Sequence, residues 1–340
     1  MRVLIVGVPE TAGYALYGLL DALSAVGRGW ETLVRSEKQR EIFDVGVVSP
    51  EQAPFVCGNG IPIRPDVVVS EEPDAEIVIV PALWLGPDDS IRGRYPELVG
   101  WIRDRYADGA HLYSACSGSL MLAETGLLDG RPATSHWGFR EIFRKDYPRV
   151  EFDSVSTLVY ADPVGRIVTA GGATAWNDLA IHIIARHAGV EEALRITKLF
   201  LLKWHTEGQQ PFESLDRPMA HSDLAVRSAE EWLSDHFAEP DALRTLVGLS
   251  NLSERTLKRR FRAATGRSLI EQIQNLRIEQ AKRLLERGDL PVEEISIACG
   301  YSDPSFFRRL FKRLTGLNPG RYRKMFEPVT RQFEAPAAIE

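Results

Sequence analysis

The chain has few cysteines and no long apolar run. No stretch approaches the ~18 apolar residues that a membrane-spanning helix needs, so we expect no membrane association. The apolar start, MRVLIVGV, has the length of a strand and is followed at once by Pro9 and Glu10, which predicts that there is no signal peptide. Three cysteines without a Cys-x-x-Cys pair indicate neither a disulfide framework nor a zinc knuckle, and we expect no metal and no other cofactor. These absences predict a cytoplasmic protein.

Positive charge is outnumbered overall, with 41 Lys or Arg against 47 Asp or Glu, but it is concentrated in one region. The 340 residues, 44% of them hydrophobic, carry a formal net charge of −6, and their number predicts two domains, each with its own core. Residues 242–326 hold 18 Lys or Arg against 8 Asp or Glu, a net of +10, whereas residues 1–241 have a net of −14. A basic module inside an acidic chain indicates phosphate binding in that module.

Two segments near the C-terminus repeat each other at an offset of 50 residues. Residues 252–266 read LSERTLKRRFRAATG, and residues 302–316 read SDPSFFRRLFKRLTG. Each copy begins at a helix N-cap residue, Ser253 or Asp303, and ends at a glycine suited to a left-handed C-cap. The repeat therefore predicts two equivalent helices.

Each predicted helix has one apolar and one basic face. Leu257 and Phe261 share a face in the first copy, as Phe307 and Phe311 do in the second. Seven of the eight residues on the opposite faces are Arg or Lys; the eight are Arg255, Lys258, Arg259, Arg262, Ser305, Arg308, Arg309 and Lys312. A single basic face is usually only solvated. Two at matched spacing, each after a short helix and a turn with glycine, predict helix-turn-helix units that enter the major groove.

A long helix is predicted between the two units. Residues 268–289 contain about 20 helical residues with apolar positions at helical spacing and no internal glycine or proline. Such a helix spans roughly 30 Å, close to the ~34 Å between successive major grooves on one face of B-DNA. One chain can therefore hold two recognition helices in consecutive grooves without forming a dimer.

From about residue 228 to residue 326 the sequence resembles the AraC/XylS family of transcription regulators. The resemblance is carried by LSERTLKRRF, LRIEQAKRLL, EEISIACGYSDPSFFRRLFKRLTG and the closing NPGRYR. It implies seven helices, two helix-turn-helix units, binding to double-stranded promoter DNA and a partnership with RNA polymerase. The first unit departs from the family at 245–248, TLVG, where small residues are usual, and the glycine predicts a looser helix there.

The N-terminal part alternates strand and helix patterns, which predicts an α/β fold with a doubly wound, largely parallel, flavodoxin-like sheet. The domains are expected at 1–207, for ligand sensing, and at 222–327, for DNA binding, with a linker at 208–221 and a flexible tail at 328–340. Strand-like runs occupy 2–8, 30–36, 43–49, 76–82, 110–116, 156–162 and 166–172. Helix-like runs occupy 14–26, 95–109, 118–126, 175–189 and 191–205.

The sequence around Cys116 has the pattern of a nucleophile elbow. An apolar strand ends at Tyr113 and runs through Ser114-Ala115-Cys116-Ser117-Gly118 into a helix, and the small neighbours permit a sharp bend. A thiol at a helix N-terminus is expected to have a lowered pKa. This stretch, with ATSHW at 133–137 and the later TAGGATAWNDLAIH, resembles the PfpI/ThiJ, class I glutamine amidotransferase-like superfamily over residues 2–190.

The resemblance to that superfamily argues against catalysis. Its proteases place a histidine directly after the cysteine, where this chain has Ser117, and its hydratases and deglycases place an acid at the position of Ala15. We therefore expect no catalytic residue and a sensor pocket in place of an active site. The alternative is a cysteine-dependent hydrolase or hydratase that carries a DNA-binding tail, in which His136 approaches Cys116.

A PfpI-like domain followed by an AraC module is the layout of the GlxA-type transcription regulators. This resemblance implies a transcriptional activator that responds to a small metabolite, often an amine or amino-acid derivative, and a homodimer formed through the N-terminal domain. Ligands of doubly wound sheets bind at the carboxyl ends of the strands. The pocket candidates there are Cys116, Ser117, His136, Trp137, Trp84, Thr174 and Trp176. The three tryptophans either pack in the core or form an aromatic box for a cation.

Overall fold

The computed structural model describes residues 1–35, 39–86, 89–216, 221–288 and 290–334, the last five of them by backbone alone. The chain divides into two compact units, Met1–Gln209 and Gln210–Glu340. Within the ranges just given, no helix combines the length and the apolar character that crossing a membrane requires.

The first unit is built on a seven-stranded sheet with the order β10-β11-β7-β6-β1-β2-β5. All neighbouring strands are parallel except β10, which pairs antiparallel with β11 at the edge. Two small two-stranded sheets, β3-β4 and β8-β9, stand beside it. The strands are β1 (Arg2–Val6), β2 (Asp44–Ser49), β3 (Phe55–Val56), β4 (Pro62–Ile63), β5 (Val67–Val68), β6 (Ile77–Val80), β7 (His111–Ala115), β8 (Pro132–Thr134), β9 (Glu151–Asp153), β10 (Leu158–Tyr160) and β11 (Ile167–Ala170).

Helices cover both faces of this sheet. One apolar core contains side chains of α3, α4 and α5, and the other contains side chains of α1, α6 and α7. The central strands are almost wholly buried because both of their faces meet helices, as parallel sheets require. This confirms the predicted doubly wound fold. The helices are α1 (Gly13–Ser24), α2 (Gly29–Leu33), α3 (Pro96–Ala107), α4 (Gly118–Glu124), α5 (Arg140–Asp146), α6 (Trp176–His187) and α7 (Val190–Phe200).

The strand predicted at 30–36 is wrong, because most of this segment forms the short helix α2. Glu31 is buried and lies 3.3 Å from the guanidinium of Arg195 on α7, and Leu199 of α7 lies close to Gly29. Packing against α7 therefore determines the structure of this segment and overrides the β propensity of its residues.

The described residues of the second unit form seven helices, the number that the AraC resemblance implies. A separate apolar core lies inside each helix-turn-helix unit. The long helix α11 serves both, with Leu269 and Ile273 in the first core and Ile278, Ala281 and Leu285 in the second. The helices are α8 (Leu224–His236), α9 (Ala242–Leu249), α10 (Glu254–Thr265), α11 (Leu269–Arg287), α12 (Val292–Ala298), α13 (Pro304–Thr315) and α14 (Pro319–Glu334).

The borders of the second unit differ from the predicted ones at both ends. Gln210–Phe212 form a 3-10 turn, and Leu215 is buried in the second core of this unit. Much of the predicted linker therefore packs against the second unit, while its residues 217–220 lie outside the described residues. At the other end α14 continues through Pro328 to Glu334, into the predicted flexible tail, and residues 335–340 lie outside the described residues.

These contacts predict that residues 210–340 are more stable as a fragment than residues 222–340. The shorter fragment loses Leu215 and the carbonyl of Glu213, which accepts a 2.7 Å hydrogen bond from the buried ammonium of Lys282. Losing one buried leucine and a partner of a buried charge should cost about 2–4 kcal/mol. Urea unfolding of the two fragments measures the difference, and equal midpoints and slopes would contradict it.

Candidate nucleic-acid interface and ligand pocket

The two predicted recognition helices, α10 and α13, are equivalent in the structure. Both contain 12 residues and begin 50 residues apart. The Ser253 side chain caps α10 by accepting from the Thr256 amide, and the Asp303 carboxylate caps α13 by accepting from the Ser305 amide. Gly266 and Gly316 end the helices with φ of 71° and 74°. The conformation at these ends is therefore set by the capping residues that the sequence pattern indicated.

The basic residues lie on the surface as their positions predicted. Leu257, Phe261, Phe307 and Phe311 are completely buried. Seven of the eight predicted contact residues are exposed, and Lys258 is half-buried. Lys258 forms an ion pair with Glu254 on its own helix, and Arg308 forms one with Glu293 on α12. The remaining six are Arg255, Arg259, Arg262, Ser305, Arg309 and Lys312, for which the described part of the chain shows no ion pair.

One arginine of the first recognition helix has a different role. Arg260 donates two hydrogen bonds, of 2.9 and 2.6 Å, to the carboxylate of Asp223. Asp223 also caps α8, and the paired guanidinium holds its pKa at about 2. Arg260 therefore attaches α10 to α8, and its side chain is committed to the fold of the domain.

Cys116 occupies a strained elbow, as the sequence pattern predicted. Its φ is +54°, a left-handed conformation that is costly for a residue with a side chain. The chain can bend there because Gly118 follows, where an added Cβ would lie 2.4 Å from the carbonyl oxygens of Val80 and Pro81. Ser117 fixes the turn, since its hydroxyl donates to the Leu83 carbonyl at 2.6 Å and accepts from the Leu83 amide at 2.7 Å.

The expectation of a lowered thiol pKa is wrong. Burial raises the pKa of Cys116 to about 11, although hydrogen bonds from Ser117 and from the backbone of His136 oppose the shift. The position at the start of a helix was correctly identified, but the thiol is only 6% exposed and lies among Ala12, Ala15 and Ala82. Loss of hydration outweighs the helix dipole, so Cys116 is a neutral thiol near pH 7.

Two aromatic residues near Cys116 were not among the predicted pocket residues. Phe139 packs against the apolar cluster around the thiol. Burial raises the pKa of Tyr14, and the negative charge of a Cys116 thiolate would raise it further, so Tyr14 lies close to Cys116. Tyr14 directly precedes Ala15 in α1, and Phe139 follows the ATSHW motif by two residues. Proximity to these two motifs was the only signal in the sequence that pointed to them.

The predicted pocket residues are only partly brought together. The backbone of His136 faces the Cys116 thiol, while its ring nitrogen Nδ1 accepts from the Gly138 amide at 3.0 Å and its ring lies 4.7 Å from that of Trp137. Trp176 packs against the Cys116 cluster and covers Gly18 of α1. Thr174 is exposed, and Trp84 is 64% exposed beside Gly58. The structure therefore places Ser117, the backbone of His136 and Trp176 against Cys116, and Trp137 against the His136 ring, whereas Trp84 and Thr174 are exposed.

No metal centre accompanies this pocket in the part of the chain that the structure describes. There, no group of three or more histidine, cysteine or acidic side chains is arranged to hold a metal ion. The chemistry available at the elbow is thus that of one neutral thiol, the hydroxyl of Tyr14 and the surrounding aromatic rings.

The fold and the two sites define a class of protein, a doubly wound α/β domain in the same chain as a tandem helix-turn-helix module. The model of the DJ-1/PfpI family matches residues 1–186, more than half of the chain, and the chain belongs to that family. The model of a helix-turn-helix domain matches residues 246–325.

Curated relatives share both parts. The chain is 27% identical to the HTH-type transcriptional regulator CdhR of Pseudomonas aeruginosa over 96% of this chain and 92% of that protein. It is 25% identical to the regulator GbdR of the same species over 92% of this chain and 83% of that protein. It is 28% identical to the regulator GlxA of Rhizobium meliloti over 64% of this chain and 66% of that protein. The chain is therefore a DNA-binding transcription regulator that combines a DJ-1/PfpI domain with an AraC-type helix-turn-helix domain, and its domain layout is similar to that of these three regulators.

Proposed function

We propose that the first unit is a sensor without catalytic activity, in which a small metabolite binds beside Cys116 and controls transcription. The observation that carries the proposal is the environment of the elbow. Ala12, Ala15 and Ala82 surround the thiol, and burial raises the pKa of the thiol. The hydroxyl of Ser117 is hydrogen-bonded to the backbone of Leu83. A cysteine nucleophile needs a base or another means of forming its thiolate. Ala12, Ala15 and Ala82 have no basic group and cannot help Cys116 to form a thiolate.

We propose an amine or an amino-acid derivative as the effector. The rings of Phe139 and Trp176 pack against the elbow and that of Trp137 lies beside His136, and such rings attract cations through their faces. Tyr14 lies within electrostatic range of Cys116, and we propose that its hydroxyl binds the effector by a hydrogen bond. The thermal midpoint of the full chain, recorded with a panel of amines, amino acids and their N-methylated derivatives, tests this. A ligand present at 100 times its Kd should add about 2.7 kcal/mol to the stability of the first unit.

On the DNA, the working particle is proposed to be a homodimer that activates transcription together with RNA polymerase in the cytoplasm. Support for the dimer comes from α7, where Val190 and Leu194 share a helix face and are more than half exposed, and from the exposed Leu201 directly after it. Two copies would present four recognition helices to one promoter. Sedimentation of the full chain at tens of micromolar tests the dimer, and a monomer there contradicts it.

Five of the eight recognition residues are proposed to divide between phosphates and bases. The ammonium groups of Lys258 and Lys312 bind phosphates, so replacing either lysine should weaken binding to all duplexes by a similar factor. Arg255, Arg259 and Arg309 are exposed on the same faces, and a guanidinium can bind a guanine edge through two hydrogen bonds.

Replacement of Cys116 by serine should leave metabolite-dependent transcription unchanged within a few-fold. Serine keeps a small polar group at the turn, and the proposal assigns no role to thiol chemistry. His136→Ala should impair the response, because it removes the ring that contacts Trp137, while operator binding by the second unit persists. Reporter transcription and mobility shifts measure the two effects. Loss of induction in Cys116→Ser, together with a covalent adduct on Cys116 in the mass spectrum of the induced protein, would replace the sensor by a thiol-based switch or an enzyme.

The alternative function is a cysteine-dependent hydrolase or hydratase. It is favoured by one observation, the left-handed backbone that Cys116 retains, since such strain is often found at catalytic residues. Assays of the full chain on amide, isonitrile and glyoxal substrates distinguish the two functions. Turnover that disappears in Cys116→Ser would establish the enzyme.

A further inference from the structure

The residues that end the first unit are attached to the strand ends near Cys116. His205 donates two hydrogen bonds of 2.7 Å, from its backbone amide and from its Nδ1, to the buried carboxylate of Asp178 at the start of α6. Gln209, the last residue of the unit, donates its backbone amide to the Val155 carbonyl at 2.8 Å. This segment therefore belongs structurally to the sensor domain.

The side chain of Gln209 is inserted among the loops at those strand ends. It is 5% exposed, and its Nε2 donates to the Thr134 hydroxyl and to the carbonyl oxygens of Ser135 and Ser156 at 3.0–3.1 Å. The carbonyl oxygens of Ser135 and Ser156 can only accept hydrogen bonds, so the nitrogen of the Gln209 amide, and not its oxygen, faces them. Its Oε1 is buried without a hydrogen-bond partner among the described residues, which makes the position energetically costly.

Two short connections lead from Gln209 to the elbow. Ser135, whose carbonyl accepts from Gln209, donates its hydroxyl to the Cys116 carbonyl at 2.8 Å. The Cys116 amide donates to the Ala170 carbonyl at 2.7 Å, and the next residue, Gly171, lies directly under the Gln209 amide, where a Cβ would be 2.0 Å from Nε2. A shift of the elbow therefore changes the atoms that hold Gln209.

The chain beyond this point is held inside the second unit. The Gln210 side chain lies over Gly316 at the end of α13, and the Glu213 carbonyl accepts from the buried Lys282 of α11. Residues 209 and 210 are thus covalent neighbours, each anchored in its own unit.

We propose that Gln209 is the positioning residue that couples the Cys116 pocket to the DNA-binding unit. This proposal rests on the proposed sensor function. A bound effector shifts the elbow, the shift alters the hydrogen bonds from Ser135 and the space above Gly171, and Gln209 changes its position together with the start of the second unit. Binding of DNA to the second unit acts on the pocket through the same residue, because coupling between two sites is reciprocal.

Reciprocity allows a test that needs no effector. Alkylation of Cys116 by iodoacetamide is followed in the full chain by mass spectrometry, with and without a saturating random-sequence duplex, and Cys57, which lies in the first unit, serves as the internal reference. Cys116 is buried, so at low reagent concentration its alkylation rate follows the equilibrium population of an open elbow, and DNA should change that rate in the unsubstituted protein by about 5-fold or more, the lower end of usual coupling factors between equilibria. In Gln209→Met, which keeps the shape of the side chain but cannot donate, the factor should fall below about 2.

Matched variants complete the experiment. Thr206→Ala changes an exposed side chain of the same segment and should keep the unsubstituted factor. Ser135→Ala removes the hydroxyl that links Gln209 to Cys116 and should also lower the factor by which DNA changes the Cys116 alkylation rate. This comparison is made with and without DNA within the same variant, so it remains valid if Gln209→Met fails to fold. The proposal is overturned when DNA has no effect on the unsubstituted protein, or when Gln209→Met or Ser135→Ala, folded and DNA-bound, keeps the full factor. A failed sensor function is separately visible, as the absence of any metabolite that raises the thermal midpoint.

Discussion

Gly118→Ala should lose most of the stability of the first unit. The added methyl group would lie 2.4 Å from two backbone oxygens, those of Val80 and Pro81, and neither can move without distorting the end of β6. Overpacking against rigid backbone should cost about 3 kcal/mol or more. Urea unfolding of residues 1–209, followed by tryptophan fluorescence, measures the change.

Gly100→Ala is the matched control for this variant. Gly100 lies inside α3, and no atom lies within 4 Å of the position that a Cβ would take. The same chemical change should therefore stabilise the unit by about 0.5–1 kcal/mol, the difference in helix propensity between the two residues. A Gly118→Ala unit as stable as the Gly100→Ala unit would contradict the close packing of the elbow.

The double variant Arg259→Ala, Arg309→Ala should lose the ability to distinguish its operator from other DNA. Each guanidinium is exposed on its recognition helix, and each lost guanine contact costs about 1–3 kcal/mol. The two arginines belong to recognition helices with separate apolar cores, so their effects should add to an approximately 30-fold or greater loss of operator affinity. Titration against an operator selected from a random library by the unsubstituted protein measures it.

The control for charge is Arg287→Ala, at the end of α11 and outside both recognition helices. It removes one exposed positive charge and should weaken operator and random DNA alike, by a few-fold at most. An equal loss of affinity for operator and random DNA in the double variant would show that Arg259 and Arg309 bind only phosphates.

The helical fold of the second unit and the ends of its two recognition helices could be predicted because their determinants are local. Helical periodicity fixes which faces are buried, and Ser253, Asp303, Gly266 and Gly316 mark the ends of the two recognition helices within four residues of the turns they close. Exposure of the basic side chains follows from the same periodicity. Burial of Leu215, in contrast, depends on contacts with helices more than 60 residues away, for which the sequence pattern of 208–221 contains no signal.

Around Cys116 the sequence predicted the geometry of the backbone but not the environment of the thiol. The small residues at 114–118 predict the bend, and Cys116 has the expected strained φ. The thiol pKa depends on Ala12 and Ala82, which come from different segments and meet only in the folded sheet. The helix at 29–33 was missed for a similar reason, since its packing partner α7 lies more than 150 residues further along the chain.

The shared helix α11 has a consequence for the promoter. One end of this helix belongs to the first helix-turn-helix core and the other end to the second. The 19 residues of α11 therefore set the distance and the angle between the two recognition helices. An extra base pair between the two sequences they read would turn one of them about 35° around the DNA axis. Among the promoters that this protein binds, the base sequence of each half-site should therefore vary more than the number of base pairs between the two half-sites.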